Sequence, residues 1–330
     1  MAIKILDCSI RDGGHLNKWQ FREDMVKESY LAASESGVDY FEVGYKNDLN
    51  VKDLGPYGYC QEDFVTSLLG SPSKIKLLCM IDAGKYTGYN IPECKKDKTP
   101  FSGIRVASYP YEGEIAIKLI EELHDKGYEV FLQLMACSEW TEEQFKVLEN
   151  WKSKDILTAA YFADSFGSFT TREITKYVNK LKELGFKNIG FHSHNNMQMG
   201  FANALQAIAD GATFIDASIY GMGRGAGNLP IELLLSYLYN ESHKNYNVVP
   251  YLNVIEKFYL DLIKEYQWGY SLRGLLSASK NLHPYYVAEL FKSKKYTTEE
   301  IYNLLDDIKK NCPLSFSKEK LEKLLEKITK

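Results

Sequence analysis

The chain opens with the run IKILDCSIRDGG at residues 3–14. Residues 3–9 are a short, mainly apolar run of the kind that predicts a β-strand. The residues after it, 11–14, read Arg-Asp-Gly-Gly and lack the G-x-G-x-x-G spacing that follows the first strand of dinucleotide-binding sheets. An open, doubly wound sheet therefore loses its main support, and the strands that follow decide the fold.

Short apolar runs alternate with longer amphipathic stretches to about residue 240, a pattern typical of βα units around a parallel sheet. Helical patterns such as Glu112 to Lys126 and Thr171 to Leu184 fall between most of the runs. The predicted strands lie near residues 3–9, 38–44, 75–81, 103–108, 128–135, 157–163, 188–194 and 213–219. Eight units favour a closed (β/α)₈ TIM barrel, which we place at residues 1–244.

Two long connections interrupt the regular rhythm of the barrel, at residues 45–60 and 82–102. They either cover the active face or are tolerated surface insertions. After about residue 245 the strand signal stops, and stretches such as Leu252 to Tyr266 and Ser317 to Lys330 have helical patterns. We therefore predict a helical C-terminal region at residues 245–330.

The composition is that of an ordinary globular protein, with 330 residues, 45% hydrophobic content and a net charge of −4. This charge makes nucleic acid a poor default partner. Six cysteines without C-x-x-C spacing argue against a zinc ribbon and against a dithiol redox motif. Because the sequence shows neither a leader nor an apolar run of about 18 residues, we expect a cytoplasmic protein without a membrane span.

The seventh predicted strand ends in His192-Ser193-His194. Side chains two residues apart on a strand point to the same face, so both imidazoles project into the barrel, at the strand end where barrel active sites lie. A single strand histidine is usually structural. Two histidines on one face at the mouth of a barrel indicate a metal site.

Two imidazoles need an anionic ligand beside them, and the acidic residues at the other strand ends are Asp12, Glu42, Asp164 and Asp216. Asp12 fits best, because in a closed barrel only strand eight separates strand one from strand seven. The alternative for Asp12 is a helix cap or a turn residue. Two histidines and one carboxylate with open positions suit Mn²⁺ or Mg²⁺, and they leave room for substrate oxygens.

Three motifs make the similarity to a known family specific. They are the opening D-C-S-I-R-D-G at residues 7–13, H-S-H-N-N at residues 192–196, and the glycine-rich loop G-M-G-R-G-A-G-N at residues 221–228. Together they resemble the DRE-TIM metallolyases, the HMGL-like superfamily. His15 and the run A-D-S-F-G at residues 163–167 make the chain most similar to the 4-hydroxy-2-oxovalerate aldolases within that superfamily.

The resemblance implies roles for individual residues. Asp12, His192 and His194 would bind a divalent metal ion. Arg11 would stabilise the enolate oxygen that develops on the substrate. His15, expected in the first βα loop with a pKa near neutrality, would take the proton from the 4-hydroxyl group.

Further residues at the same end of the barrel have expected roles or alternatives. Ser165 would hydrogen-bond the 2-oxo acid, and Tyr270 resembles a substrate-facing tyrosine that core packing would equally explain. Asp164 would orient a ligand or satisfy a buried layer. Asn228 would reach the metal or cap the helix that begins at Pro230, and Glu42 remains an additional acidic candidate.

The resulting expectation is a metal-dependent aldolase that joins or separates a pyruvate-type enolate and an aldehyde. A Claisen-type synthase that condenses acetyl-CoA with a 2-oxo acid is the nearest enzymatic alternative. A non-catalytic barrel subunit of an aldehyde-processing complex is the alternative from another class. The resemblance also suggests a homo-oligomer and an aldehyde dehydrogenase as a partner.

Overall fold

The computed structural model describes residues 3–48, 51–70, 74–85, 91–241 and 246–328. Eight parallel strands pair in chain order and close into a barrel in which β1 pairs with β8. The strands are β1 Lys4–Asp7, β2 Tyr40–Tyr45, β3 Lys76–Asp82, β4 Phe101–Ser108, β5 Glu129–Leu134, β6 Leu157–Asp164, β7 Ile189–Ser193 and β8 Phe214–Ala217. The predicted (β/α)₈ TIM barrel with a helical C-terminal region is confirmed.

Helices follow most of the strands and surround the barrel. They are α1 Ser9–Asn17, α2 Glu23–Glu35, α3 Glu62–Leu69, α4 Gly113–Asp125, α5 Glu142–Asn150, α6 Thr171–Glu183, α7 Gly200–Ala209 and α8 Ile231–Asn240. The described parts of residues 45–60 and 82–102 hold only a short 3₁₀ helix at Pro56–Gly58 beyond the strand ends. Residues 49–50 and 86–90 of those connections lie outside the described ranges.

The first strand is shorter than predicted, because β1 ends at Asp7 and α1 already begins at Ser9. His15 therefore lies on a helix, and its placement in a loop was wrong. Glycines are poor helix formers, but here close packing overrides propensity. A Cβ atom on Gly13 would lie 2.7 Å from Met222, and one on Gly14 would lie 2.0 Å from the Trp19 ring.

Two layers of side chains fill the interior of the barrel. The aromatic layer consists of Tyr40, Phe131, Tyr161 and Phe214, whose ring centroids lie 5.6–6.4 Å apart. The polar layer lies closer to the carboxyl ends of the strands and consists of Glu42, Arg105, Gln133, His192 and Asp216. Three polar residues come two positions after an aromatic one on the same strand, as the alternation of a strand requires.

The C-terminal region consists of helices that pack in two groups. The region comprises α9 Val249–Val254, a π-helical turn at Ile255–Tyr259, α10 Leu260–Tyr266, α11 Leu272–Ser279, α12 Pro284–Ser293, α13 Thr298–Asn311 and α14 Lys318–Ile328. Residues of α9 and the π-helical turn belong to the barrel's hydrophobic core. Residues from α11 onward form a core of their own. No helix within the described ranges is both long and apolar enough to cross a membrane.

Candidate active site

Helix α1 places three of the predicted site residues beyond the end of β1. Arg11 and His15 are four positions apart and therefore lie on one face of the helix, next to Asp12. The Asp12 carboxylate accepts hydrogen bonds from Arg11 Nη1 at 2.6 Å and from Asn228 Nδ2 at 2.7 Å. Burial would raise the pKa of Asp12, but nearby positive charge, foremost that of Arg11, outweighs burial and lowers it well below its usual value. Asp12 is therefore a carboxylate anion.

Strand β7 brings two imidazoles to this carboxylate. Each of Asp12, His192 and His194 offers a ligand atom, and these atoms all lie within 4.8 Å of one another in a buried position. The two imidazole rings stand almost perpendicular, with centroids 5.1 Å apart. The predicted neighbours therefore converge, because β8 alone separates β1 from β7.

The tautomer of His192 follows from its partner Asp216. Burial would raise the pKa of Asp216, but Arg105 and His192 outweigh burial and lower it. The ionised carboxylate can only accept, so His192 Nδ1, at 2.9 Å, donates its proton to Asp216. In the neutral imidazole this leaves the lone pair on Nε2, the arrangement that carboxylates impose on metal-binding histidines.

The donor set fits a divalent cation. Within the described residues, neither His192 Nε2 nor the ring nitrogens of His194 have a hydrogen-bond partner, and the buried Asn228 Oδ1 also lacks one. Burial lowers the pKa of His194 to about 3, so this imidazole is neutral. One connected network of buried ion pairs surrounds these ligand atoms and contains more carboxyl groups than guanidinium groups. Its members are Arg11, Arg105, Asp12, Glu42 and Asp216.

A second group of possible ligands lies deeper in the barrel and comprises Cys8, His192 and Asp216. Its atoms already have partners, because Asp216 accepts from His192 and the Cys8 thiol donates to the Ala217 carbonyl at 3.3 Å. Burial raises the pKa of the Cys8 thiol well above its usual value, so this residue is not a thiolate. The group around Asp12 is therefore the better metal site.

Glu42 holds two arginines rather than facing the possible metal ligands. Its Oε2 atom accepts from Arg11 Nε at 2.8 Å and from Arg105 Nη1 at 3.3 Å. Arg105 also donates to Gln133 at 2.5 Å and to Asp216 at 2.8 Å, and its guanidinium lies 4.4 Å from the centroid of the Tyr161 ring. The buried Nη2 atom of Arg11 has no partner among the described residues. Arg11 is thus fixed at two atoms and retains a free donor.

The imidazole of His15 lies between aromatic rings. Its centroid is 4.8 Å from that of Trp19 and 5.8 Å from that of Tyr45, both in edge-to-face geometry. No hydrogen bond of this side chain occurs within the described ranges. Burial lowers the pKa of His15 to about 3, and Asp12 partly opposes this effect. The expected pKa near neutrality is therefore wrong for this structure, and His15 is a neutral imidazole.

Ser165 and Asp164 follow one another but face different partners. The Ser165 hydroxyl accepts from the Ala136 backbone N–H at 2.8 Å, which leaves its own proton free to donate. Asp164 accepts from the backbone N–H groups of Ser168 and Phe169 at 2.9 and 3.0 Å, and burial raises its pKa to about 7. Asp164 therefore organises the loop after β6, and none of its hydrogen bonds within the described residues reaches the possible metal ligands.

The two remaining predicted residues differ in position. Asn228 contacts Asp12 and forms an isolated bridge with His194, whereas Pro230 is the N-cap of α8. The helix-cap alternative for Asn228 is therefore wrong. Tyr270 is 62% exposed, and no hydrogen bond or ring contact of its side chain occurs among the described residues. Its substrate role stays a prediction.

Three residues at this end of the barrel were missed or given no role in the sequence analysis. Arg105 is a fully buried arginine in an apolar strand, and its inward parity was a usable signal. Arg224 in the glycine-rich loop lies 3.0 Å from His283, measured from Nη1 to Nε2. His283 precedes α12, far along the chain, so no local pattern indicated this contact.

Known proteins are similar to this chain in sequence and in fold. Residues 114–254 match the HMGL-like family model. A protein of Geobacillus thermodenitrificans named 4-hydroxy-2-oxovalerate aldolase is 31% identical over 243 residues, which cover 72% of this chain and 69% of the relative. A Mycobacterium tuberculosis protein named oxaloacetate decarboxylase is 27% identical over 241 residues, which cover 72% of this chain and 70% of the relative.

A solved structure gives the same assignment. It is the N-terminal domain of a Bacteroides vulgatus protein provisionally described as an aldolase, with a TM-score of 0.81 and 34% identity. The alignment covers 91% of this chain and 99% of that domain. With the clustered Asp12, His192 and His194 already described, these similarities show that the chain belongs to the HMGL-like family, the DRE-TIM metallolyases, and is a carbon–carbon lyase.

Proposed function

We propose that the protein is a divalent-metal-dependent aldolase that acts on 4-hydroxy-2-oxo acids, or forms them from a pyruvate-type donor and an aldehyde. The observation that carries the proposal is the convergence of Asp12, His192 and His194 beside a doubly fixed Arg11. These three residues would hold Mn²⁺ or Mg²⁺, and the unpartnered Oδ1 atom of Asn228 would be a further ligand. When bound, such an ion supplies a Lewis acid that polarises the 2-oxo group.

Arg11 stabilises the negative charge that develops on the enolate oxygen. Its contacts with Glu42 and Asp12 fix the guanidinium plane before substrate arrives. The unpartnered Nη2 atom supplies a donor that needs no reorganisation. Preorganised donors of this kind contribute about 10²–10³-fold to the rate when they face a developing oxyanion.

His15 accepts the proton of the 4-hydroxyl group as the C3–C4 bond breaks. The imidazole is in its free-base form, which is the form that a general base requires. The charge of Asp12 raises the pKa of His15 and would stabilise the imidazolium that forms. Ser165 donates its free hydroxyl proton to the carboxylate end of the 2-oxo acid, and Tyr270 would approach the substrate from the C-terminal region.

The names of the relatives support pyruvate chemistry. Aldol cleavage of a 4-hydroxy-2-oxo acid leaves a pyruvate enolate, and loss of carbon dioxide from oxaloacetate leaves the same species. Both reactions therefore suit the same donor set. We favour the aldol reaction because His15, whose side chain makes no hydrogen bond to the described residues, is available to accept a hydroxyl proton. Decarboxylation does not require such a base.

A product assay tests the proposal. The metal-loaded protein is incubated with pyruvate and a panel of aldehydes, with acetyl-CoA and 2-oxo acids, and with oxaloacetate alone. We expect 4-hydroxy-2-oxo acids from the first mixture. Citrate-type products from acetyl-CoA and a 2-oxo acid would establish the Claisen alternative. If the sole reaction is the release of pyruvate from oxaloacetate, the protein is a decarboxylase. Absence of any product would favour the non-catalytic subunit.

We also propose a setting for the reaction. The chain would act in the cytoplasm, since the described cysteines are all free thiols. A homo-oligomer, and an aldehyde dehydrogenase that consumes the aldehyde, are the partners that the resemblance suggests. Sedimentation of the purified protein and co-purification with a dehydrogenase test these two points separately.

A further inference from the structure

We propose that Arg224 forms an anion subsite at the mouth of the barrel, which binds a carboxylate or phosphate group on the aldehyde half of the substrate. The proposal rests on the proposed aldolase function, because it names the class of aldehyde that this site accepts. His283 acts as a positioning residue for the guanidinium. Neither residue is among the possible metal ligands.

The guanidinium of Arg224 is half-buried and has only neutral partners. Its Nη1 atom lies 3.0 Å from His283 Nε2, and its Nη2 atom lies 3.5 Å from the Ser165 carbonyl oxygen. The ring of Tyr285 lies 6.0 Å from its central carbon. No carboxylate of the described residues forms an ion pair with it. A half-buried cation without a counter-ion is an attractive site for an anionic ligand.

His283 can hold Arg224 only as a neutral acceptor. The imidazole is 9% exposed, and burial together with Arg224 lowers its pKa well below the usual value. The Tyr285 backbone N–H points to Nδ1 at 3.3 Å, and Arg224 Nη1 lies 3.0 Å from Nε2. Because a guanidinium can only donate, Nε2 is the acceptor in the contact with Arg224. His283 therefore orients the guanidinium without neutralising it.

The donors already assigned to the 2-oxo acid indicate which half of the substrate the anion belongs to. Arg224 follows Gly223, where a Cβ atom would lie 2.5 Å from Asp12 Oδ2, so this part of the glycine-rich loop borders the possible metal ligands. His15 takes the proton of the 4-hydroxyl group, which is on the aldehyde half. The 2-oxo acid half already has donors, because Arg11 faces the enolate oxygen and Ser165 faces the carboxylate in the proposed function. Arg224 is therefore the cation available to a substituent beyond C4.

The first experiment compares anionic and neutral aldehydes with pyruvate as donor. The pairs are succinic semialdehyde with butanal, and glyceraldehyde 3-phosphate with glyceraldehyde. We expect the metal-loaded wild type to prefer the anionic member of one pair, and that pair identifies the anion as carboxylate or phosphate. Arg224→Gln should lower this preference about 10- to 100-fold, the effect of losing a charge-assisted hydrogen bond. Neutral aldehydes should keep their kcat/KM within about threefold.

Three further variants sharpen the comparison. Arg224→Lys keeps the charge without the forked donors and should lie between wild type and Arg224→Gln. His283→Gln keeps an acceptor and should preserve the preference, whereas His283→Leu should raise KM for the anionic aldehyde alone. Arg172→Gln removes an exposed arginine at the start of α6 and serves as the matched control, with no expected change in preference.

A binding experiment keeps the subsite separable from the aldolase proposal. Calorimetry with 2-oxoglutarate and 2-oxopentanoate compares two ligands that differ in a distal carboxylate, without any turnover. If no aldehyde reacts with wild type, the aldolase proposal fails, and an Arg224-dependent preference for 2-oxoglutarate still supports the subsite. The subsite is overturned if Arg224→Gln affects both members of each pair equally, or if wild type shows no preference for an anion.

Discussion

The aromatic layer and the polar layer fill the same barrel, yet they have opposite character. Tyr40, Phe131 and Phe214 belong to the aromatic layer, and the residues two positions later, Glu42, Gln133 and Asp216, belong to the polar layer. Arg105 joins the two, because its guanidinium lies over the Tyr161 ring and pairs with carboxylates above. The same strands thus supply a buried aromatic layer at one level of the barrel and a charged network at the next.

The contrast between the two layers explains why the ion pairs of the polar layer are strong. The buried aromatic layer keeps the local dielectric low, so that ion pairs of the polar layer are much stronger than on a surface. Gly190 shows how tightly the aromatic layer is packed, because a Cβ atom there would lie 2.4 Å from the Tyr161 ring. We therefore expect substitutions in the polar layer and at the metal ligands to act on chemistry, and those in the aromatic layer to act on stability.

The largest effect is expected at the possible metal ligands. Asp12→Asn removes the one anionic ligand, and His194→Ala removes an imidazole, so either variant should lose both the divalent ion and measurable aldol activity. Metal analysis after dialysis, together with the product assay, measures this. Asp164→Asn alters a buried aspartate at a neighbouring strand end and should keep its metal. Unchanged metal occupancy in Asp12→Asn would remove the site.

The next effect separates proton transfer from metal binding. His15→Ala should keep the metal and lose about 10²–10⁴-fold in the rate of aldol cleavage. Exchange of pyruvate methyl protons with solvent should survive in part, because Arg11 still stabilises the enolate. Arg11→Ala should damage cleavage and exchange together. His124→Ala, at an exposed position on α4, is the control. Cleavage at the parental rate in His15→Ala would show that the base is misassigned.

A smaller effect is expected at Asp216, the residue of the polar layer that orients the possible metal ligand His192. His192 Nδ1 and Arg105 Nη2 both donate to the same oxygen of Asp216, so Asp216→Asn keeps an acceptor for them but removes the negative charge that strengthens both contacts. Loss of such support typically costs about 10–100-fold in metal affinity or activity. Titration of metal-free protein with Mn²⁺ measures the affinity. Asp210→Asn, at the end of α7, should leave it unchanged. An unaltered affinity in Asp216→Asn would mean that His192 needs no orienting partner.

Much of this arrangement was predictable from the sequence, because strand parity is a local property. The alternation at residues 188–194 placed both histidines on one face, and the closure of eight units brought Asp12 near them. The helical state of residues 9–17 was not predictable, since Gly13 and Gly14 disfavour a helix and only contacts with Met222 and Trp19 explain it. The contact between Arg224 and His283 joins segments 59 residues apart, and only tertiary packing brings them together.

The smallest effect on catalysis is expected in the aromatic layer, and one strand offers a matched pair to test it. Phe131 and Gln133 both point into the barrel from β5, so the same new side chain can be placed in either layer. Phe131→Leu removes ring contacts with Tyr40 and Phe214 and should cost about 1–3 kcal/mol of stability, less than truncation to alanine. Its kcat should stay within about twofold of the parental value.

Gln133→Leu should behave differently, although it lies only two residues away. It removes the acceptor that Arg105 Nη2 reaches at 2.5 Å, and a buried donor left without a partner costs about 1–3 kcal/mol. Because Arg105 also holds Asp216, which orients His192, the loss should reach the metal site and lower kcat several-fold. Denaturation midpoints and kcat, measured on both variants with metal present, give the comparison. Equal losses of kcat in the two variants would mean that the two layers are coupled. Repacking of the aromatic layer would then disturb the polar layer as much as the removal of one of its hydrogen bonds.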